Sequence, residues 1–324
     1  MDNCLTIRLA KGIGDLNLEY SVPLIWHGGE PLAYGLDHFI TLIEPLEKLR
    51  RAGKISHCIQ TNGTLIDDRW CEFFKHYGFE VGVSIDGPRL LNVNRIDWQG
   101  KKSFEKKMPG MILLRSNQIN FTCIAVITNE ALLKASEIYD FFCQVGCESV
   151  GINLEEQLGM NLSSAHGEDV VRFWEELFKR WQENPVIRVR EFTNIIQWMG
   201  SLIGETKPIP NRTDIFPTIG WNGNVVLLSP EMLGAQSLVH NNFIAGNLLK
   251  DDLATILERG QKSLYVREYR QGVERCRSEC KFFDYCRGGQ ASNKFFELGK
   301  IGATETLHCK NSQQIPVETI LRSR

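Results

Sequence analysis

The chain has 324 residues, 43% hydrophobic and 23% charged, the makeup of a globular protein long enough for more than one core. Its formal net charge of -2 lacks the basic excess that binds nucleic acid or an anionic membrane surface, and no apolar run approaches the ~20 residues that span a bilayer. Ten cysteines, with no export signature after Met1, predict reduced thiols in the cytoplasm rather than a disulfide scaffold.

From the N-terminus, 5–18 is moderately apolar and helix-compatible, with no strand ahead of it. Short, partly β-branched apolar segments at 22–26, 55–59, 80–85, 121–126 and 149–152 predict strands. Between the first two, Leu36, Phe39, Ile40, Ile43, Leu46 and Leu49 fall on one helical stripe. Asp67 and Asp68 open a helix that carries Trp70, Phe73, Phe74 and Tyr77 and closes at Gly78. A third helix spans 103–115, with Pro109-Gly110 set to kink it or delay its start, and a fourth runs through Leu132, Ala135, Ile138, Phe142 and Val145 to Gly146. This α/β alternation implies right-handed crossovers and a parallel sheet. Periodicity leaves open whether that sheet curls into a barrel or is doubly wound.

Beyond 155, an aromatic helix over 167–181 (Val170, Val171, Trp174, Leu177, Phe178, Trp181) and another over 191–202 read as bridging elements. Pro208, Pro210 and Pro217 break the pattern, and a second domain begins near Thr213. Gly220-Trp221-Asn222-Gly223-Asn224 forms a hairpin turn ahead of a strand at 225–228. The predicted divisions are 1–155, the βα sheet; 156–212, the bridging helices; and 213–324, a cysteine-bearing unit.

Three motifs end strands: Trp26-His27-Gly28-Gly29-Glu30-Pro31, Gln60-Thr61-Asn62-Gly63-Thr64 and Ser84-Ile85-Asp86-Gly87-Pro88. In parallel α/β folds ligands gather at this face, where loops and helix N-termini supply donors. Gly28 and Gly29 permit close backbone approach, and Glu30 offers a carboxylate to an ammonium group. Ser84 and Asp86 either cap the following segment or bind a ligand. Asn62 either contacts a ligand or takes a turn with positive φ. His27 either orients the Glu30 loop or is a buried structural histidine.

Downstream, Cys276, Cys280, Cys286 and Cys309 supply four thiolates, enough for one tetrahedral zinc site or one [4Fe-4S] cluster. Cys58, Cys71, Cys123 and Cys143 sit among apolar neighbours and read as core residues. Cys143 and Cys147 have the spacing of the first two members of a Cys-x3-Cys-x2-Cys loop, but Val150 takes the third place; both are assigned to packing.

In order and spacing, the three motifs and the C-terminal cysteines resemble radical S-adenosylmethionine (SAM) enzymes with a SPASM domain, from about Leu24 to Cys309. The stretches 26–32, 59–65, Ser229-Pro230-Glu231 and Glu305-Thr306-Leu307-His308-Cys309 resemble the subgroup that modifies ribosomally made peptides, including cyclophane-forming maturases. The resemblance implies a partial (β/α)6 radical SAM barrel lacking its first strand, with a SPASM iron-sulfur domain in 213–324. It implies Gly28, Gly29 and Glu30 on the SAM amino group, Ser84 and Asp86 on its ribose and carboxylate, and Asn62 beside them. It implies one auxiliary [4Fe-4S] cluster on Cys276, Cys280, Cys286 and Cys309; Glu231, after the turn into the second domain, is either the base for a proton lost on crosslinking or a surface carboxylate. A precursor peptide and an electron donor such as a flavodoxin or ferredoxin are the implied partners, with no nucleic acid and no membrane.

Two departures stand out. The 324 residues hold no Cys-x3-Cys-x2-Cys loop, so the resemblance implies a sequence that starts after the first strand and cluster loop and does not cleave SAM as it stands. Asn92-Val93-Asn94-Arg95 replaces the subgroup's His-Asp before an arginine, which implies altered substrate recognition. No second auxiliary cluster is expected, since 223–231 has no cysteine and Gln290 stands where another ligand would. The alternative readings are a degenerate, non-catalytic paralogue that keeps the auxiliary cluster and binds a peptide, and a zinc-binding α/β protein.

Overall fold

A computed structural model describes residues 1–97, 99–204 and 215–323. Six parallel strands pair in chain order: β1 (Val22–Trp26), β2 (Ile55–Thr61), β3 (Phe79–Ser84), β4 (Phe121–Ile127), β5 (Ser149–Leu154) and β6 (Arg188–Val189). Right-handed crossovers that always advance in one direction put every connecting helix on the same face. The sheet must then curl around its other face, the winding of a barrel, with β1 and β6 as its edges. Strand order thus settles what periodicity left open. The sequence reading finds five strands and counts a sixth, the first, as missing from the chain; the six found are those five and β6, which at two residues is too short to show a period.

Burial alternates strictly along β2 and β4. On β2, Ile55, His57, Ile59 and Thr61 lie beneath the helices, while Ser56, Cys58 and Gln60 are half-buried on the concave side. The helix α4 (Asp68–Tyr77) starts where the Asp67 carboxylate accepts from the Trp70 N–H and stops at Gly78, which takes φ 64. Its buried Trp70, Phe73 and Phe74 meet Phe39 and Phe79 edge-on or tilted; fully burying one such ring contributes about 1.5–3 kcal/mol.

Two helices depart from expectation. The 36–49 stripe is not one helix: α2 (Leu36–Ile43) and α3 (Glu47–Arg51) are separated by a 3-10 turn over Glu44–Leu46, because Pro45 has no N–H to continue the ladder. The apolar face survives the break, with Phe39, Ile43 and Leu46 buried. Conversely, α5 (Phe104–Ser116) runs unbroken through Pro109. A Cβ on Gly110 would stand 2.4 Å from the Gly63 carbonyl, so glycine is what lets this helix approach the loop after β2.

After β5 come α6's neighbour α7 (Glu168–Glu183) and α8 (Arg190–Leu202), the former packed on α6 (Ala135–Val145). The hairpin β7 (Thr218–Ile219) to β8 (Asn224–Val226) forms as expected, and β9 (Gly246–Asn247) joins it in a small antiparallel sheet. The helices α9 (Leu253–Gln261), α10 (Leu264–Glu279), α11 (Phe283–Cys286), α12 (Ala291–Leu298), α13 (Leu307–Cys309) and α14 (Ile315–Arg322) follow. The stretch with Pro208, Pro210 and Thr213 lies outside the described residues.

Two buried apolar clusters result, and they cut across the divisions at 155 and 212. Leu5 and Ile13 of α1 (Asn3–Asp15) join the smaller cluster with Val225, Phe243, Tyr265 and Tyr269. A Cβ on Gly12 would lie 2.6 Å from Leu253 Cβ, so α1 and α9 touch backbone to side chain. Val317 and Ile320 of α14 join the larger cluster. Among the described residues, no helix is long and apolar enough to cross a membrane.

Candidate functional site

All three strand-end motifs meet at the C-terminal rim of the parallel sheet. After β1, Gly28 and Gly29 take φ 84 and 68, a conformation that only glycine adopts without strain. Glu30 then caps the 3-10 turn Pro31–Tyr34 by accepting from the Leu32 N–H at 3.1 Å. The same Oε1 accepts from the Thr61 hydroxyl at 2.7 Å, and Oε2 accepts from the Asn62 N–H at 2.7 Å. A carboxylate offers about four acceptor positions. Three are filled, so one on Oε2 remains for a ligand.

The Asn62 side chain builds its own loop: Oδ1 accepts from the Thr64 N–H at 2.9 Å and the Thr64 hydroxyl at 2.6 Å. Positive φ, expected for Asn62, belongs to Gly63 at 77. His27, weighed as a buried structural histidine, is exposed. The buried histidine is His57, stacked on Phe79, whose Nδ1 accepts from Trp26 Nε1 at 3.2 Å. Burial pushes His57 down to about 4.

At the third motif, the Ser84 hydroxyl accepts from Gln60 Nε2 at 2.8 Å. Gln60 lies over Gly82, where a Cβ would meet its Oε1 at 2.2 Å. Asp86 is 5% exposed. Its carboxylate accepts from Arg95 Nε at 2.7 Å, from Arg95 Nη2 at 2.6 Å and from the Val126 N–H at 2.8 Å, so, as on Glu30, three of its four acceptor positions are filled within the protein. Asn92 is 1% exposed, accepts from the Asp86 N–H at 2.9 Å and donates to the Pro88 carbonyl at 2.9 Å. The sequence puts Asn92 in a segment of altered substrate recognition; its side chain instead closes the Asp-Gly-Pro turn.

Lys107 of α5 escapes the sequence reading. It is 1% exposed and donates to the Ser84 carbonyl at 2.9 Å. Burial pushes it down to about 8, with Arg95 acting in the same direction and Asp86 and Glu30 opposing. The available signal was a lysine on the stripe that Met111 and Leu114 continue.

The four C-terminal cysteines line one cavity of about 340 Å³ together with Phe282, Phe283 and Gln314. Cys276 lies in the last turn of α10, Cys280 caps that helix with its N–H bonded to the Cys276 carbonyl at 2.9 Å, and Cys286 and Cys309 end α11 and α13. The Cys309 thiol donates to Cys286 and holds its pKa down against burial, with help from the N–H groups of Gly288 and Gly289; Cys309 is pushed up in return. Arg287, Gly288 and Gly289 take φ 58, 100 and 71, three left-handed residues that turn amides toward sulfur. Among the described residues, no three His, Cys, Asp or Glu side chains close on a single metal ion. The four cysteine thiols supply the donors that either one tetrahedral zinc ion or one [4Fe-4S] cluster takes.

The remaining cysteines are free. Cys71 and Cys123 are core residues as expected, and Cys147 touches Cys123. Cys58 departs from expectation: it is half-buried on the concave face, with Sγ 3.6 Å from Glu80, and burial pushes it up to about 11. Cys143 is also only half-buried.

Glu156, in the loop after β5, links the sheet to the cysteine unit, accepting from Asn293 of α12 and sitting 2.8 Å from His308 Nδ1. Glu231 is exposed and accepts from the Ser229 hydroxyl at 2.5 Å. Among the described hydrogen bonds and ion pairs, none joins Glu231 to the strand-end cluster.

A family model described as the radical SAM superfamily matches residues 9–142. The chain is 34% identical over 310 residues to the uncharacterized protein sll1766 of Synechocystis sp., covering 92% of this chain and 78% of that protein. It is 28% identical over 295 residues to the serine-type anaerobic sulfatase-maturating enzyme of Bacteroides thetaiotaomicron, covering 83% and 69%. Among solved structures, its fold is similar to native anSMEcpe with bound AdoMet at TM-score 0.79 and 22% identity, covering 100% of this chain and 88% of that one. Streptococcus suis SuiB bound to precursor peptide SuiA is also similar, at TM-score 0.64 and 17% identity, covering 96% and 69%.

Proposed function

The chain belongs to the radical SAM superfamily, and from that premise we propose a peptide-modifying member with a SPASM-type C-terminal domain that holds one auxiliary [4Fe-4S] cluster. The observation that carries this reading is the junction of Glu30, Thr61 and Asn62, which leaves one carboxylate position open on the rim where Ser84 also lies. Bound SAM and a reduced cluster would supply the 5′-deoxyadenosyl radical that takes a hydrogen atom from the peptide. The chain's own part is binding and orientation.

Glu30 holds the SAM ammonium at its remaining acceptor position, and Gly28 and Gly29 let backbone pass close to the ligand. Ser84 offers its hydroxyl from the adjoining strand. Asp86 positions that strand end through Arg95 and Val126 and keeps one acceptor position for the ligand. A crosslinked product is two hydrogens lighter than its precursor. One leaves as the abstracted atom; the other leaves as a proton to Glu231 and an electron that the auxiliary cluster would take up, while a donor such as a flavodoxin or ferredoxin would supply the electron for SAM cleavage.

The peptide reading draws support from the similarly folded SuiB, whose structure was determined with a precursor peptide. The sulfatase-maturating relatives favour a second reading, oxidation of a single serine or cysteine in a protein substrate. Ten free cysteines support a reducing, cytoplasmic setting.

The 324 residues contain no Cys-x3-Cys-x2-Cys loop, and by themselves they do not cleave SAM. Incubation with SAM and a reductant is expected to yield no 5′-deoxyadenosine, and its formation overturns that statement. The substrate reading is tested by expressing the gene with its upstream sequence together with a short peptide encoded beside it. Tandem mass spectrometry is expected to find a crosslink between two residues. An aldehyde at one serine or cysteine favours the second reading, and unmodified peptide favours a non-catalytic binder.

A further inference from the structure

The helix α12 opens with three buried polar side chains in succession: Ser292, Asn293 and Lys294, exposed by 1%, 2% and 1%. Two are paired. Ser292 donates to the Ser229 hydroxyl at 2.9 Å, since the Ser229 proton goes to Glu231, and Asn293 donates to Glu156. Asn293 Oδ1 and Lys294 Nζ have no hydrogen-bond partner among the described residues, and of the two only Lys294 carries a charge. Its Nζ lies 5.3 Å from the centre of the Tyr269 ring, and the Tyr269 hydroxyl is committed to the Gly289 carbonyl at 2.7 Å.

A buried ammonium without a counter-charge is strongly unfavourable, and a cation-π contact offsets only part of that cost. The charged and titratable groups that face Lys294 are Cys276, Cys286 and Cys309, which attract its charge, and Arg275, which repels it. The compensation must therefore come from the cysteine cavity. Four thiolates around a cluster supply it, since such a centre is a net anion and becomes more so on reduction.

We propose that Lys294 is the built-in counter-cation of the centre held by Cys276, Cys280, Cys286 and Cys309, stabilising the occupied site and favouring its reduced state. This rests on the reading that the four cysteines hold an iron-sulfur cluster. Lys294 acts through space and ligates nothing, so its signature is electrostatic.

The test uses the full chain, reconstituted anaerobically, with Lys294→Met, Lys294→Gln and Lys294→Arg. Iron and sulfide are assayed, and the midpoint potential is followed by electron paramagnetic resonance. Lys294→Met and Lys294→Gln are expected to shift the midpoint to more negative values, and Lys294→Arg to restore it toward the parent. Thermal unfolding adds a readout that a packing role would not reproduce. Without metal, Lys294→Met is expected to melt above the parent, because the uncompensated charge is gone; with the cluster bound, the order is expected to reverse. Full iron with an unmoved midpoint, or the same melting order in both states, overturns the role of Lys294 alone. Absence of an iron-sulfur centre from the parent overturns the cluster reading and this inference with it.

Discussion

The backbone N–H of Asn62 donates to the Glu30 carboxylate at 2.7 Å, so the loop after β2 is built onto the loop after β1. Two motifs separated by about thirty residues of chain thereby become one surface, with Thr61 supplying a second bond at 2.7 Å. Glu30 thus serves the fold with the same group that is proposed to hold the ligand.

Glu30→Gln should therefore impair both. A glutamine amide presents either a donor toward the Asn62 N–H or a weaker neutral acceptor, and it removes the charge that holds an ammonium. Loss of one charge-assisted bond of about 1.5–3 kcal/mol predicts SAM binding weaker by roughly 10- to 100-fold. Equilibrium dialysis with the anaerobically prepared protein measures it, and unchanged affinity would place the ammonium elsewhere.

Gly110→Ala should destabilise the protein by about 1–3 kcal/mol, because its Cβ would stand 2.4 Å from the Gly63 carbonyl and force α5 off the second motif. Gly14→Ala in α1 meets nothing within 4 Å and should stabilise by about 0.5–1 kcal/mol. Urea unfolding of the two variants should move in opposite directions.

His57 makes stability depend on acid. Its folded pKa, pushed down to about 4, lies below the unfolded value of about 6.5. Between these values the unfolded chain binds the extra proton, so stability falls as pH drops from about 6.5 to 4, by roughly 3 kcal/mol in all. His57→Phe should flatten that slope, at a cost of about 1 kcal/mol near neutrality for the lost Trp26 bond. Equal slopes in urea titrations of parent and variant would contradict the burial of a neutral imidazole.

Lys107 acts in the opposite range. With its pKa held at about 8 in the fold and about 10.4 when unfolded, the unfolded chain binds more protons between those values, and stability rises with pH there. Lys107→Met should be more stable than the parent at pH 7 by about 1–3 kcal/mol, after the lost bond to Ser84 is counted. The gap should close toward pH 10. A constant gap would mean that packing, not charge, sets the difference.

Much of this was readable from residue order. The five longer strands, the caps at Asp67 and Gly78, and the hairpin at Gly220 follow from short-range patterns, and the resemblance singled out Glu30, Ser84 and the four cysteines. Strand order is not encoded in periodicity, so the barrel winding needed the structure, and β6 at two residues leaves no pattern to read. The packing of α1 on α9 and of α14 on α7 depends on contacts across most of the chain. Lys107 and Lys294 were missed, and the turn-closing role of Asn92 with them, for one reason. Each is a single polar residue whose meaning lies in what buries it, and sequence alone assigns such residues to the surface.

The central claim is the proposal that Cys276, Cys280, Cys286 and Cys309 hold one iron-sulfur cluster. The measurement that tests it most directly is metal and sulfide analysis of the anaerobically purified chain, with the four cysteines changed to alanine as control. The account predicts ~4 iron and ~4 sulfide per chain, lost in the control. One zinc per chain with no acid-labile sulfide would contradict it.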